Sequence, residues 1–256
     1  RMYIKNAVLA LSAKHKEQAE KALSALLPEA PVQGSEGFDI HTPICVGSWQ
    51  LVLNEYGGIG ALKHNGTELI KQNNRPVIEY RSFGKCDYDF WLRHYSRNLK
   101  KNVVWAFGDF GRPLLKYAEG KYPQGYFPYK PVKAVLLNSS ETEIKVCVDF
   151  RCDPILCDEL GAPKLIQIIY SLTAHGLKFN LSWFGKDANR LTEALYLHLF
   201  PANDRIHFVK LGREISPYHV VSMAGRKLHA IQHFILHINQ DNYKFINYHS
   251  PVVSLG

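Results

Sequence analysis

A chain of 256 residues with 46% hydrophobic and 12% aromatic residues reads as a folded, strand-rich protein and excludes a disordered one. A formal net charge of +8 raises nucleic acid as a partner, but Lys and Arg are scattered and no binding signature interleaves them. No apolar run reaches the roughly 18 residues a membrane span requires, and the opening residues do not read as a secretory signal, so neither nucleic acid nor membrane is expected.

In chain order, residues 1–27 are helical in pattern. Ile4, Val8 and Leu11 recur at helical spacing, the stripe lapses between Ser12 and His15, and Ala19, Ala22, Leu23 and Leu26 resume it. Residues 28–37, rich in Pro and Gly, form a linker, and strands fill residues 38–256. An isolated helix needs a partner for its apolar face, and an upstream helical bundle is the expected one. The first residue is Arg1 and the last, from Ser250, read as a strand beginning, so a fragment of a longer protein is expected.

Ser48 to Asn54 reads as a strand, and Asn65-Gly66 marks a hairpin between Ile59–Leu62 and Glu68–Ile70. Pro76 to Phe83 alternates, whereas Tyr88, Trp91, Leu92 and Tyr95 follow i, i+3, i+4, i+7 and predict a short amphipathic helix. Residues 103–129 are irregular, with the Pro and Gly content of a long functional or surface-crossing loop. Val132 to Leu137 and Glu143 to Arg151 form a hairpin. Leu165 to Thr173, Leu177 to Phe184 and Glu193 to Phe200 then read as a three-stranded antiparallel meander, with Leu177, Phe179, Leu181 and Trp183 on one face. Arg205 to Lys210, Lys227 to Ile238 and Tyr243 to Tyr248 complete the strands. The fold class expected is mainly β, an antiparallel two-sheet supersandwich behind an N-terminal α-helical segment.

No complete active site is legible. His229, His233 and His237 lie four apart, but the run favours a strand, where such residues stand about 13 Å apart and cannot share a metal. Glu193 and His198 suggest an acid/base pair for aldose epimerisation, yet their opposite parity puts them on opposite sides of a strand. No nucleotide-binding loop, nucleophile elbow or glycosidase carboxylate pair is present. The five Cys residues leave two readings open, a Cys152–Cys157 bridge across a short acidic loop and a reduced protein, with the cytoplasm favoured. The polar cluster that attracts attention joins Pro217, Tyr218 and His219 to Arg226 and His229, side chains suited to hydrogen-bonding sugar hydroxyls. Trp91, Trp105 and Trp183 are candidate stacking faces, with core packing as the ordinary role of each.

Several stretches resemble the post-catalytic region of glycoside hydrolase family 38-like proteins, above all their bacterial branch. They are Asn54 to Leu62, Phe83 to Asp89, Phe107 to Leu114, Leu191 to Pro201, Gly225 to Ala230 and Ser250 to Val253. The resemblance implies a galactose-mutarotase-like supersandwich that packs on an upstream α-mannosidase-like barrel. It also implies that nucleophile and zinc ligands belong to that barrel and the helical bundle behind it, leaving this chain with no catalytic residue and no cofactor. Carbohydrate and the chain's own catalytic domain are the partners implied, Arg226, His229, Tyr218 and His219 are the expected sugar contacts, and oligomerisation is left open.

Overall fold

The computed structural model describes residues 2–26, 29–95, 98, 101, 120, 124–189, 191–221, 227–250 and 252–255. The chain divides into two units, Arg1–Gln33 and Gly34–Gly256. In the first, α1 (Met2–Leu9) and α2 (Ala13–Ser24) are separated where the apolar stripe lapses. Ser12 occupies the N-cap position of α2 in an extended conformation, but its hydroxyl meets His15 Nδ1 at 2.9 Å instead of a backbone amide. No residue of α2 is buried. None of the described helices is long and apolar enough to cross a membrane.

The second unit is mainly β, and every strand pair within it is antiparallel. One sheet of four strands contains β2 (Ile44–Val46), β3 (Trp49–Leu53), β4 (Ile59–His64) and β5 (Thr67–Ile70) in sequence order. Asn65 and Gly66, with φ of 49° and 75°, form the β4–β5 turn, as the Asn-Gly pair predicts. A sheet of five strands runs β1 (Glu36–Gly37), β8 (Lys130–Ser139), β9 (Glu143–Arg151), β10 (Leu165–Thr173) and β11 (Gly176–Phe184). The expected linker therefore ends in a strand, because Glu36 and Gly37 pair with Leu136 and Val135.

A sheet of three strands orders β12 (Glu193–Leu197), β6 (Ile78–Ser82) and β7 (Gly125–Pro128). The third run of the expected meander thus leaves its neighbours. The polar loop after Phe184 carries the chain away from β11, and Glu193 to Leu197 pairs with Ser82 to Ile78 instead. A further sheet of four strands orders β14 (Arg213–Ile215), β13 (Ile206–Lys210), β16 (His233–Ile238) and β17 (Asp241–Ile246). The run from Lys227 to Ile238 is not one strand. It breaks at Ile231-Gln232, so that β15 (Leu228–Ala230) pairs with β18 (Val252–Ser254) in a sheet of its own. Among the described residues the strands form five small ladders in a propeller-like arrangement, where the sequence suggests two large sheets. Loops that switch the chain between ladders are what the local pattern does not encode.

Among the described residues, two helices interrupt the strands. The predicted amphipathic helix is α3 (Lys85–Tyr95). The stretch between Cys152 and Cys157, expected as a loop, instead leads into α4 (Pro154–Leu160). Its signals are all present: Asp153 caps the N-terminus by accepting from the Ile155 amide, Pro154 occupies the first turn, and Gly161 closes it in the left-handed region at φ 67°. Leu156, Cys157 and Leu160 anchor it to the core. The thiols of Cys152 and Cys157 lie 3.6 Å apart and are not bonded.

One hydrophobic cluster joins the β2–β5 sheet to the β8–β11 sheet, with Leu51, Leu53 and Leu62 meeting Val148, Phe150, Ile168 and Tyr170. The buried phenols keep their hydrogen bonds. Tyr170 donates to the Gly57 carbonyl at 2.9 Å and Tyr129 to the Pro163 carbonyl at 2.8 Å. Gly57 is required twice over: its φ is +69°, and a Cβ there would lie 2.9 Å from the Phe150 ring. Along β6, Ile78, Tyr80 and Ser82 point inward, which leaves Glu79 and Arg81 on the opposite face.

Candidate functional site

The outer face of the β12–β6–β7 sheet concentrates the chemistry. Strand alternation puts Glu79 and Arg81 of β6, Tyr126 and Pro128 of β7, and Ala194 and Tyr196 of β12 on it, in register with one another. The ladder continues past β12, since the His198 amide donates to the Val77 carbonyl at 2.8 Å, so His198 joins the same face. There, its Nε2 meets Glu79 Oε2 at 2.8 Å.

The rings form a row. Tyr126 and Tyr196 have centroids 6.0 Å apart, Tyr196 and His198 are 6.2 Å apart, and His198 and Phe200 are 6.4 Å apart. Tyr126 is 58% exposed, so one end of the row is open to solvent. Partial burial, and to a lesser degree the neighbouring Tyr126, hold the Tyr196 phenol above its ordinary pKa, keeping it a neutral donor.

Arg81 ties the row to α3. Its Nη2 donates to Asp87 Oδ1 at 2.6 Å, and Asp87 Oδ2 accepts from the Gly84 amide at 2.8 Å in the first turn of the helix, where a carboxylate is favoured. The guanidinium carbon lies 4.6 Å from the Tyr126 ring centroid and 4.9 Å from that of Phe83. Arg81 Nε is buried and meets no acceptor among the described residues. An imidazole–carboxylate pair, a guanidinium–carboxylate pair and apolar ring faces thus share one surface. Such a surface can accept from and donate to several hydroxyls while stacking on C–H groups.

Glu193 is on the other side of the sheet, as strand parity requires. It accepts from Tyr80 at 2.6 Å and pairs with Lys186 at 2.6 Å, and Asn189 adds a longer bond of 3.3 Å. Burial first, and the Glu193 carboxylate second, push the Tyr80 phenol far above its ordinary pKa, which keeps it protonated and donating. This is an internal brace, and Glu193 does not approach His198.

The other sequence candidates scatter. His229 is buried, with Lys210 Nζ at 3.2 Å and the Phe208 ring at 5.1 Å, so it shares no accessible surface with exposed Tyr218 and His219. Those two residues sit in a turn built on Ser216, whose hydroxyl accepts from the Tyr218 amide at 3.3 Å. Arg226 and Trp105 lie outside the described residues. Trp183, which shares the β11 face with Leu177, Phe179 and Leu181, is 55% exposed and is not a core residue. His233 and His237 stand on β16 while His229 stands on β15, so the histidine trio is not brought together. His237 instead meets His207 and Glu214, three potential metal ligands that no sequence spacing connects.

A groove of about 540 Å³ lies on the β3–β4–β5 sheet, lined by Gln50, Asn54, Lys63, Glu68, Asn73 and neighbouring residues. Its volume suits a small molecule. However, Asn54 donates to the Asn73 and Arg75 carbonyls and accepts from the Tyr56 and Gly58 amides, fixing the turn that carries Gly57. Its wall holds one ring, that of His41, and no Tyr, Phe or Trp, so it offers a sugar less stacking surface than the ring-lined face.

Fold and site together define an antiparallel, mainly β protein with a polar, ring-lined sheet face and an appended helical pair. The chain belongs to the DUF5054 family, described as a domain of unknown function, whose family model matches residues 1–178. None of the curated proteins and none of the solved structures is similar to it.

Proposed function

We propose that this chain is a carbohydrate-contacting, non-catalytic β domain of a glycoside hydrolase family 38-like, α-mannosidase-like enzyme, and that it packs on an upstream catalytic barrel. Zinc and nucleophile belong, in this reading, to that barrel. The observation that carries the sugar-binding part is the row of Tyr126, Tyr196 and His198 flanked by Glu79 and the Arg81–Asp87 pair. The attachment part rests on the resemblance of the stretches named above, and the unburied α2 suits a helix that continues an upstream bundle.

Titrating the full chain with methyl α-mannoside and mannose oligosaccharides, followed by amide chemical shifts, tests the reading. Saturable shifts on β6, β7 and β12, reached only at several-fold higher mannoside in Tyr126→Ala, are expected. No response to any mannoside, or shifts confined to the β3–β5 groove, would overturn it.

A second reading, an independent aldose epimerase, draws support from one contact. Glu79 orients His198 as a carboxylate orients a catalytic imidazole, the role that Glu193 cannot fill. Polarimetry on fresh α-galactose or α-glucose separates the two: epimerisation that His198→Ala abolishes and Glu193→Gln spares belongs to this second reading.

A further inference from the structure

We propose that His207, Glu214 and His237 form a binding site for a divalent late transition metal of the zinc type, on the outer face of the β14–β13–β16–β17 sheet. The inference stands independently of the sugar reading, and its metal is distinct from any zinc of an upstream barrel.

The three side chains come from three adjacent strands. Phe208 and Lys210 of β13 pair with Ile215 and Arg213 of β14, across a tight turn at Leu211-Gly212 with φ of 50° and 76°. The Gly212 amide donates to Gln232 Oε1 at 3.0 Å, which pins that turn. On the other side of β13, His207 pairs with Ile235, and the His237 amide donates to the Arg205 carbonyl at 3.0 Å. Alternation places His207, Glu214 and His237 on one face, with Phe208 and Leu236 buried on the other. The ligand positions are therefore set by sheet register and not by a loop.

Their ligand atoms converge. His207 Nδ1, Glu214 Oε1 and His237 Nε2 all lie within 4.8 Å of one another, with Glu214 Oε1 2.9 Å from His237 Nε2 and in contact with His207 Nδ1. Zinc bonded to nitrogen and oxygen at about 2.0–2.1 Å in a tetrahedron separates its ligand atoms by roughly 3.3 Å. Both carboxylate–imidazole contacts are shorter than that value and would open to admit the ion.

The orientation of His237 strengthens the case. Its Nδ1 lies 2.6 Å from Asn242 Oδ1, an oxygen that only accepts, so Nδ1 carries a proton. Nε2 then faces Glu214, where its lone pair can be given to a cation held between them. This outer hydrogen bond, which fixes the tautomer and ring angle, is what metal-bound histidines have. Two imidazoles and one carboxylate suit zinc, and also nickel or cobalt, over the oxygen-seeking magnesium and calcium. Arg205 and Lys244 stand at register positions on the same face and oppose a cation there, so the Glu214 carboxylate has to offset part of the charge. Three protein ligands leave the remaining coordination positions to solvent.

The test uses the full chain, stripped with a chelator, dialysed, and titrated with zinc chloride by calorimetry and with cobalt chloride by visible absorption. One saturable site is expected, with cobalt d–d bands in the visible, and His207→Ala and His237→Ala should each weaken it by about tenfold or more. Replacing His175, an exposed turn histidine, should leave it unchanged. Ring-nitrogen shifts of His207 and His237 in the unsubstituted chain should move on zinc addition, a readout that does not depend on how a variant folds. Absence of saturable binding, a smaller loss in either histidine variant, or zinc-induced shifts confined to other histidines would overturn the assignment.

Discussion

Two sheet faces each oppose a histidine to a glutamate, and their surroundings give the pair different chemistry. On the β12–β6–β7 face, His198 meets Glu79 beside a row of tyrosine rings and an arginine that is itself paired. On the β14–β13–β16–β17 face, Glu214 meets two imidazoles, and an asparagine holds the far side of one of them. Ring faces and diverse hydrogen-bonding groups suit a flat, hydroxyl-rich ligand. Converging nitrogens and one carboxylate suit a cation. What the contrast teaches is that a His–Glu contact has no fixed meaning, and that the residues two positions along each strand decide it.

The β12–β6–β7 sheet adds Ile78 and Tyr80 to the main cluster, whereas the β14–β13–β16–β17 sheet meets it through partly buried Ile238, Tyr243 and Phe245, so the comparison breaks first if that cluster is weakened. Replacing Phe150, which is fully buried between the two main sheets, with Ala should cost roughly 3–5 kcal/mol in urea unfolding. It should lower the sugar response more than the metal response, because Phe208 and Leu236 beneath the metal ligands are buried outside the cluster that holds Phe150. Equal loss of both responses would show that the faces share one foundation.

Alkaline pH probes two buried thiols that lie outside that cluster. Burial, chiefly, pushes the Cys147 and Cys157 thiols up to about 12 from an ordinary 9.0. The folded state therefore keeps protons that the unfolded chain releases. Stability is full below about pH 9 and declines as pH rises through about 12, and Cys147→Ala should flatten part of that decline in thermal melts. Exposed Cys45 and Cys86 should alkylate at neutral pH, whereas Cys147 and Cys157 should react only after unfolding.

A smaller effect sharpens the boundary between interior and face. Asp153→Ala removes the cap of α4 and should cost about 1 kcal/mol, without touching either candidate site. Smallest of all, Tyr126→Ala should leave the melting temperature unchanged, since its ring is mostly exposed.

Much of the local structure was legible in the sequence. The Asn-Gly turn, the β8–β9 and β10–β11 hairpins and the α3 helix follow from period and turn chemistry alone. Pairings between distant segments were not. That β12 joins β6 depends on a loop that redirects the chain, and α4, a helix of 7 residues, is too short for a helical period to emerge from the acidic stretch between two cysteines. The ring-lined face was half visible. Glu79, Arg81 and Phe83 alternate on one run, and Tyr196, His198 and Phe200 on another, but only register brings the two runs side by side. His207 and Glu214 gave no signal at all, because a metal site assembled across strands has no characteristic spacing. Among the expected sugar contacts, His229 looked available because the break at Ile231-Gln232, which lets it turn inward, is unmarked by Gly or Pro.

The central claim is that the outer face of the β12–β6–β7 sheet binds a sugar. The most direct measurement is a mannoside titration of the unsubstituted chain and of Tyr126→Ala and Tyr196→Ala, at matched folding as judged by circular dichroism. The account predicts saturable binding that weakens several-fold in each variant, as loss of about 1 kcal/mol of ring stacking implies. Equal binding by all three proteins, or none by the unsubstituted chain, would contradict it.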